Sequence, residues 1–121
     1  YVHIINILYI QYMKSAIWGP QGWDFFHVMA LHYPNEPNNN DKNNMINFIK
    51  YFCEVLPCEE CCDNFKVILD EFPVNNYLES RKKLFNWTIF IHNKVNVNIG
   101  KPEVSSQYII RKYIDLYDIQ A

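Results

Sequence analysis

The spacing of apolar side chains along the 121-residue chain predicts helices separated by loops rich in proline and asparagine. The segment "WGP" at 18–20 is predicted to start a helix, since proline is tolerated in a first turn, where its missing N–H has no partner to lose. The sequence "YPNEPNNND" ends that helix. Positions that share one face at three- and four-residue spacing are Trp23, Phe26, His27, Ala30 and Leu31.

The middle of the chain predicts two further helices with apolar faces. The second runs from about Asp41 to Val55, and Pro57 opens a third that carries Cys58 and Cys61. The sequence "DEFPVNN" breaks the pattern after the third helix. Apolar positions of the second helix are Met45, Ile46, Phe48, Ile49 and Phe52, and those of the third are Phe65, Ile68 and Leu69.

The last part of the chain predicts the longest helix and a short final one. The longest spans about Tyr77 to Ile99, where Gly100 and Pro102 stop it. The final helix runs from about Ser105 to Tyr117. Because no segment alternates as a strand would and no internal repeat is visible, the predicted fold is a small all-α bundle.

The first 17 residues are predicted to be an N-terminal extension that forms a packed helix or strand. His3, Asn6, Gln11 and Lys14 interrupt its apolar positions, so it lacks the roughly 20 apolar residues of a membrane-spanning helix. It also lacks the basic start and small-residue cleavage site of a signal peptide. We therefore predict a main domain over 18–117, a C-terminal tail over 118–121, and no membrane span.

Composition and charge exclude one class of function. Half of the residues are hydrophobic and 17% are aromatic, enough for one core, while the net charge is −2. The lysines are scattered rather than clustered into a basic stripe. The sequence therefore predicts no binding to nucleic acid.

The segment "LPCEECCDNF", residues 56–65, holds three of the four cysteines and permits three kinds of site. Structural zinc needs a second pair of ligands, and no second C-x-x-C or H-x-x-x-H supplies it. A structural disulfide across so short a loop would restrict the unfolded chain very little. A redox pair fits the local chemistry, since Cys58 and Cys61 are three apart where a helix start stabilises a thiolate. Glu59 and Glu60 oppose that effect. Cys53 is expected to be a small buried hydrophobic residue, and Cys62 either an apolar filler or a surface thiol.

The segment "FNWTIFIHNKVNVNIGKP", residues 85–102, predicts a polar, aromatic-edged helix face where a core face would be expected. His92 and Asn96 lie four apart, while Asn93 and Asn96 lie three apart. Trp87 and Asn98 belong to the same segment. By itself this face has a second explanation, a satisfied polar helix surface.

Taken together, the motifs make the sequence similar to the Erv/ALR family of FAD-linked sulfhydryl oxidases. The shared segments occur in the family's order: "WGPQGWDFFHVMALHYP", "LPCEECCDNF", "SRKKLFNW" and "HNKVNVNIGKP". The resemblance implies a four-helix bundle with a short fifth helix, FAD at the mouth of the bundle, and a non-covalent homodimer. The activity it implies is oxidation of a dithiol by O2 to a disulfide and hydrogen peroxide. The rival interpretation is a zinc-stabilised helical interaction module without redox activity.

The resemblance also assigns roles to individual positions. Cys58 and Cys61 match the catalytic pair next to the flavin, and no metal site is implied. Flavin and adenine rings need aromatic or imidazole faces, while a pyrophosphate needs cationic and amide donors. The positions predicted to bind the cofactor are Gly19, Trp23, His27, Tyr33, Trp87, His92, Asn93, Val95, Asn96, Gly100, Lys101, Lys112 and Tyr113.

Two features of many family members are missing from this sequence. No cysteine occurs where an additional structural disulfide would fall, near Lys83 and Ser106, and no cysteine precedes Cys53 or follows Cys62 as a shuttle pair would. The compact viral members are similar in this respect, which suggests a viral source. A thioredoxin-like carrier is therefore expected between the enzyme and its thiol substrates. The expected location of the protein is the cytoplasm of an infected host cell or the virion if the source is viral, and an oxidising organelle otherwise.

Overall fold

The computed structural model describes the backbone of residues 2–117 and, within it, the side chains of 15–113 and 115; the predicted tail over 118–121 lies outside the described residues. Over this part of the chain the fold is helical and contains no strand, as predicted. A short 3₁₀ helix, Val74–Tyr77, precedes the fourth helix. The helices are α1 (Val2–Leu31), α2 (Asn39–Glu54), α3 (Glu59–Glu71), α4 (Arg81–Asn98) and α5 (Ser106–Tyr117).

The predicted helix start at 18–20 is wrong. Residues 2–17 belong to the same helix as the residues that follow, and Pro20 lies inside α1. A proline there leaves one backbone carbonyl of the preceding turn without its helical partner. The helix continues through Pro20 nonetheless, so α1 and not the fourth helix is the longest element.

Side-chain caps fix the starts of the next three helices. Asn38 and Asp41 form a reciprocal capping box at α2. The Ser80 hydroxyl accepts a hydrogen bond from the Lys83 N–H at the start of α4, with N···O 3.1 Å. At α3 the capping residue is Cys58, so one of the candidate redox sulfurs also begins a helix.

The core lies between α1 and α4, which share the most extensive contact among the described residues. Phe26 and Ala30 of α1 and Leu84 and Ile91 of α4 are fully buried. Helix α3 also packs on α4, α2 packs on α3, and α5 packs on α4. No described helix is both long and apolar enough to cross a lipid bilayer.

Candidate active site

Cys58 and Cys61 are joined by a disulfide bond at the start of α3, with their Cα atoms 5.2 Å apart. The Cys58 Sγ also accepts a hydrogen bond from the Cys61 N–H at 3.1 Å. Both residues are half-buried. The structure therefore contains the disulfide that two of the three interpretations, a structural bond and a redox pair, require.

The disulfide lies in the wall of a cavity of about 630 Å³ formed by α1, α3, the end of α4 and α5. Small-molecule sites in proteins are typically about 300–1,000 Å³, so the cavity has the size of a ligand site. Eight of the predicted cofactor residues line it together with both cysteines. These eight are Gly19, Trp23, His92, Val95, Asn96, Lys101, Lys112 and Tyr113.

An aromatic stack forms one side of this cavity. The rings of Trp23 and His92 are 4.0 Å apart between centroids and nearly parallel, at 9°. The Phe65 ring of α3 packs against Trp23 at an interplanar angle of 79°, with 6.3 Å between centroids. The stack offers a flat, partly apolar surface against which a planar ring system can pack.

His27 lies behind His92 rather than in the cavity wall. Its Nε2 is 2.9 Å from His92 Nδ1, and its Nδ1 is 2.9 Å from the Thr88 Oγ1. Burial, reinforced by the neighbouring His92, lowers the pKa of His27 to about 3. Burial also lowers the pKa of His92 to about 4, with Asp24 acting in the opposite direction. Both imidazoles are therefore neutral near pH 7.

Gly100 directs Lys101 toward the cavity. Gly100 has φ +76° and follows the end of α4. The Lys101 N–H donates to the Asn96 carbonyl at 2.8 Å, and the Gly100 N–H to the Val97 carbonyl at 3.2 Å. This is the Schellman ending of a helix, which requires a left-handed residue that glycine adopts without strain.

Asp24 holds two of the predicted residues on α5. Its carboxylate accepts hydrogen bonds from the Lys112 Nζ, at 2.9 Å, and from the Tyr113 hydroxyl. Burial raises the pKa of Asp24, but these two hydrogen bonds together with the positive charge of Lys112 hold the pKa below its usual value. The ionised carboxylate thus ties α5 to α1 at the edge of the cavity.

Asn93 acts on the loop between α4 and α5. Its Oδ1 accepts from the Val104 N–H at 2.7 Å and its Nδ2 donates to the Val104 carbonyl at 3.0 Å. Through these two hydrogen bonds the Asn93 amide pairs with the backbone of Val104, as a neighbouring peptide group would, and holds Val104 in the cavity wall. Asn93 and Gly100 therefore shape the site without lining it.

Tyr33 and Trp87 do not line the cavity, and their predicted contacts with the cofactor stay predictions. The Tyr33 hydroxyl donates to the Leu78 carbonyl at 2.7 Å. The Trp87 indole N–H donates to the Phe72 carbonyl at 3.0 Å, and its ring is 1% exposed. These contacts give both residues places in the protein core.

Trp18, Asp24 and Thr88 are among the residues of the site that sequence reasoning did not assign. Trp18 and Asp24 line the cavity, and Thr88 is the buried partner of His27. Trp18 lies in the "WGP" segment, which predicts a helix start and belongs to a segment shared with the family, but neither observation assigns Trp18 itself a role. For Thr88, its place four residues before His92 on one helix face was the available signal.

The other two cysteines, Cys53 and Cys62, are buried free thiols, so Cys62 is not a surface thiol. The Cys62 Sγ donates to the Cys53 carbonyl at 2.8 Å. Burial, together with Cys62, raises the pKa of Cys53 to about 12. No group of three or more His, Cys, Asp or Glu side chains that could hold a metal ion occurs among the residues whose placement is described.

These features define a class of protein, an all-helical bundle with a disulfide in the wall of a ligand-sized cavity. Residues 20–114 match the sequence model of the Erv1 / Alr family, and the chain belongs to this family. It is 42% identical over 90 residues to a probable FAD-linked sulfhydryl oxidase of Acanthamoeba polyphaga mimivirus, covering 74% of this chain and 63% of the relative. It is 30% identical over 100 residues to the mitochondrial FAD-linked sulfhydryl oxidase of Schizosaccharomyces pombe, covering 83% of this chain and 55% of the relative.

The fold is similar to a solved structure of the same family. The FAD binding domain of Erv1 from Saccharomyces cerevisiae superposes with a TM-score of 0.74 at 30% sequence identity, covering 83% of this chain and 93% of that one. The chain spans less than two thirds of the length of the two sequence relatives. The resemblance noted from the motifs is thus confirmed at the level of family and fold.

Proposed function

We propose that this chain is an FAD-dependent sulfhydryl oxidase that transfers two electrons from thiol substrates to O2. The observation that carries the proposal is the Cys58–Cys61 disulfide in the wall of the cavity that also holds the Trp23–His92 stack. The relatives named as FAD-linked sulfhydryl oxidases support it.

The residues of the cavity fit FAD in shape and in charge. Trp23 and His92 present a flat surface for an aromatic ring, and the Lys101 and Lys112 amino groups suit phosphate oxygens. At Gly19 a Cβ atom would meet no other atom within 4 Å, so the glycine leaves room along α1. The Trp18 indole N–H is buried with no acceptor among the described residues, and an acceptor on a ligand would satisfy it.

The protein's own part of the reaction is thiol–disulfide exchange. A substrate thiolate attacks the Cys58 Sγ, the Cys58–Cys61 bond breaks, and Cys61 leaves as a thiolate. A second substrate thiolate then attacks the substrate sulfur of the mixed disulfide and releases Cys58. The products are a substrate disulfide and a reduced Cys58–Cys61 pair. Bound FAD supplies the two-electron acceptor that returns the pair to the disulfide and passes the electrons to O2, giving hydrogen peroxide.

The position of Cys58 at the helix start favours it as the substrate-facing sulfur. The Cys61 N–H that donates to Cys58 Sγ stabilises negative charge there, and so does the positive end of the α3 dipole. A stabilised thiolate is a better leaving group, which assists the second exchange step. Glu59 and Glu60 lie in the same turn and reduce this advantage.

Two finer features belong to the same proposal. We propose a homodimer, as the family resemblance implies, and the exposed apolar side chains Ile17 and Phe25 on α1 are candidates for its contact. We also propose a thiol protein substrate reached through a thioredoxin-like carrier. Light scattering should give a mass twice that of one chain, and Phe25→Glu should lower this mass toward that of one chain. A mass of one chain for both proteins would refute the dimer.

Oxygen consumption and absorption spectra test the activity. Purified protein should be yellow with a flavin spectrum and should consume O2 when dithiothreitol is added. Cys58→Ser and Cys61→Ser should both abolish this consumption, whereas Cys53→Ser should retain it. Colourless protein containing stoichiometric zinc would overturn the proposal in favour of the zinc-stabilised module.

A further inference from the structure

A row of hydrogen bonds runs from the backbone of α4 through three side chains to the cavity. The Thr88 hydroxyl lies 2.6 Å from the Phe85 carbonyl oxygen. Two oxygens at that distance repel each other unless a hydrogen lies between them, so the hydroxyl donates to Phe85. A threonine hydroxyl has one hydrogen, and toward His27 it can therefore only accept.

That single constraint sets the tautomer of both histidines. The His27 Nδ1, 2.9 Å from the Thr88 Oγ1, must carry the hydrogen that Thr88 accepts. His27 is fully buried and neutral, so its Nε2 is a bare acceptor. It accepts from His92 Nδ1 at 2.9 Å, and the hydrogen of neutral His92 is therefore on Nδ1.

The tautomer of His92 determines which hydrogen bond it can form with a ligand in the cavity. His92 lines the cavity with one ring face on Trp23, and its Nδ1 is used by His27. The remaining nitrogen, Nε2, carries no hydrogen and can only accept. The neighbouring charged groups are Asp24, Lys101 and Lys112, which also line the cavity.

We propose that Thr88 is a positioning residue that makes His92 a hydrogen-bond acceptor toward the cavity, so that this part of the site selects a ligand group that donates. The proposal rests on the proposed function, since the ligand group would belong to the cofactor. Amino and hydroxyl groups of FAD meet this requirement. Its phosphate and carbonyl oxygens do not.

A matched pair of substitutions separates the hydroxyl of Thr88 from its shape. Thr88→Ser keeps the hydroxyl, while Thr88→Val has nearly the same shape and offers no acceptor. In Thr88→Val the His27 Nδ1–H would be buried without a partner, so both rings should reverse to the Nε2–H form. His92 would then present a donor to the cavity instead of an acceptor.

Long-range ¹H–¹⁵N spectra of the purified protein, freed of any bound flavin, read the tautomers directly. We expect Nδ1–H at His27 and His92 in the unsubstituted protein and in Thr88→Ser, and Nε2–H at both in Thr88→Val. FAD affinity should fall about tenfold in Thr88→Val, the effect of losing one hydrogen bond, and stay within about twofold in Thr88→Ser. Should Thr88→Val fail to fold, the unsubstituted protein and Thr88→Ser still decide the tautomers.

The outcomes distinguish this proposal from the function on which it rests. Nε2–H at His92 in a protein that binds FAD overturns the role of Thr88 and leaves the function standing. Reversal of both tautomers in Thr88→Val with unchanged FAD affinity also overturns it, because His92 would then not select the ligand. Nδ1–H at both rings in a protein that never binds flavin would support the role of Thr88 in setting the tautomers and would refute FAD as the ligand.

Discussion

At the scale of single residues, Cys58 and Cys61 share a bond but not an environment. The Cys58 sulfur accepts a backbone hydrogen bond at the helix start, whereas Cys61 lies within the first turn of α3. We predict that Cys61 faces the flavin and Cys58 the substrate, in the order that the family resemblance implies. Cys58→Ser should therefore leave a Cys61 thiolate beside oxidised FAD and produce a long-wavelength absorption band.

Cys61→Ser is the matched control for this assignment. It leaves the Cys58 thiolate, which should be too far from the flavin to give the band. Appearance of the band in Cys61→Ser and its absence from Cys58→Ser would reverse the two roles. Absorption spectra at neutral pH suffice to make the comparison.

His92 and Trp87 offer a second comparison between residues. His92 lines the cavity, while Trp87 is fully buried and packs near Phe26 and Tyr77. His92→Ala should lower FAD affinity about ten- to a hundredfold, since stacking on a base is worth about 1–3 kcal/mol per contact. Trp87→Ala should instead reduce the free energy of unfolding by about 3–5 kcal/mol through loss of packing.

Urea denaturation and flavin titration measure the two effects separately. A His92→Ala protein that retains FAD at the original affinity would argue against the stack as a ligand surface. A Trp87→Ala protein of undiminished stability would argue against its place in the core. The motif containing both residues could not distinguish them, because burial depends on which helix packs on that face.

At the scale of elements, Asn93 connects α4 to the loop that precedes α5. Its two hydrogen bonds to Val104 hold backbone groups that lie between two helices. Asn93→Ala should reduce the free energy of unfolding by about 1–3 kcal/mol, because the Val104 N–H and carbonyl lose their partners. FAD affinity should fall as well, since Val104 forms part of the cavity wall.

The exposed residue Asn44 on α2 provides a control of the same type. Asn44→Ala should change stability by no more than about 0.5 kcal/mol and leave FAD affinity unchanged. Equal effects of the two substitutions, measured by urea denaturation and flavin titration, would show that the Asn93 contacts contribute nothing.

The sequence predicted most elements closely but placed the first one wrongly. The boundaries of α2 and α5 differ by one or two residues from the predicted ones, because capping and apolar periodicity are local signals. Helix α1 was missed before residue 18, since Pro20 was interpreted as an N-terminal residue. Whether a proline starts a helix or lies within it depends on the packing of the helix, which a single sequence does not contain.

At the scale of the whole molecule, the two buried histidines make stability depend on pH. Their pKa values in the folded protein are about 3 and about 4, below the ordinary value of 6.5. The unfolded chain therefore binds more protons below pH 6.5, and the stabilising contribution present above that pH is lost as the pH falls from 6.5 toward 4. We expect a loss on the order of a few kcal/mol by pH 4.

Urea denaturation at pH 7, 6, 5 and 4 measures this dependence. The part between pH 6.5 and 5 reports the histidines, since Asp24 and Glu79, whose pKa values are lowered, contribute only at more acidic pH. Stability that does not change between pH 7 and 5 would contradict neutral, buried His27 and His92.

The site could be predicted only in part from the sequence. Motif order identified both cysteines and eight other residues of the cavity wall, because these positions carry unusual residue types at fixed spacing. Asp24 and Thr88 were not identified, since a single carboxylate or hydroxyl on a helix has no distinctive pattern. Their roles depend on side chains 89 and 61 positions away in the sequence, at Tyr113 and His27.

The capping role of Cys58 bears on how this chain can change over generations. Serine is among the best residues at a helix start, and a single nucleotide change converts a cysteine codon into a serine codon. Such a descendant would lose the proposed thiol exchange while α3 kept its cap and the cavity kept its walls. Loss of catalysis and loss of structure are therefore separable here by one mutation, and an inactive but folded and ligand-binding relative is one step away.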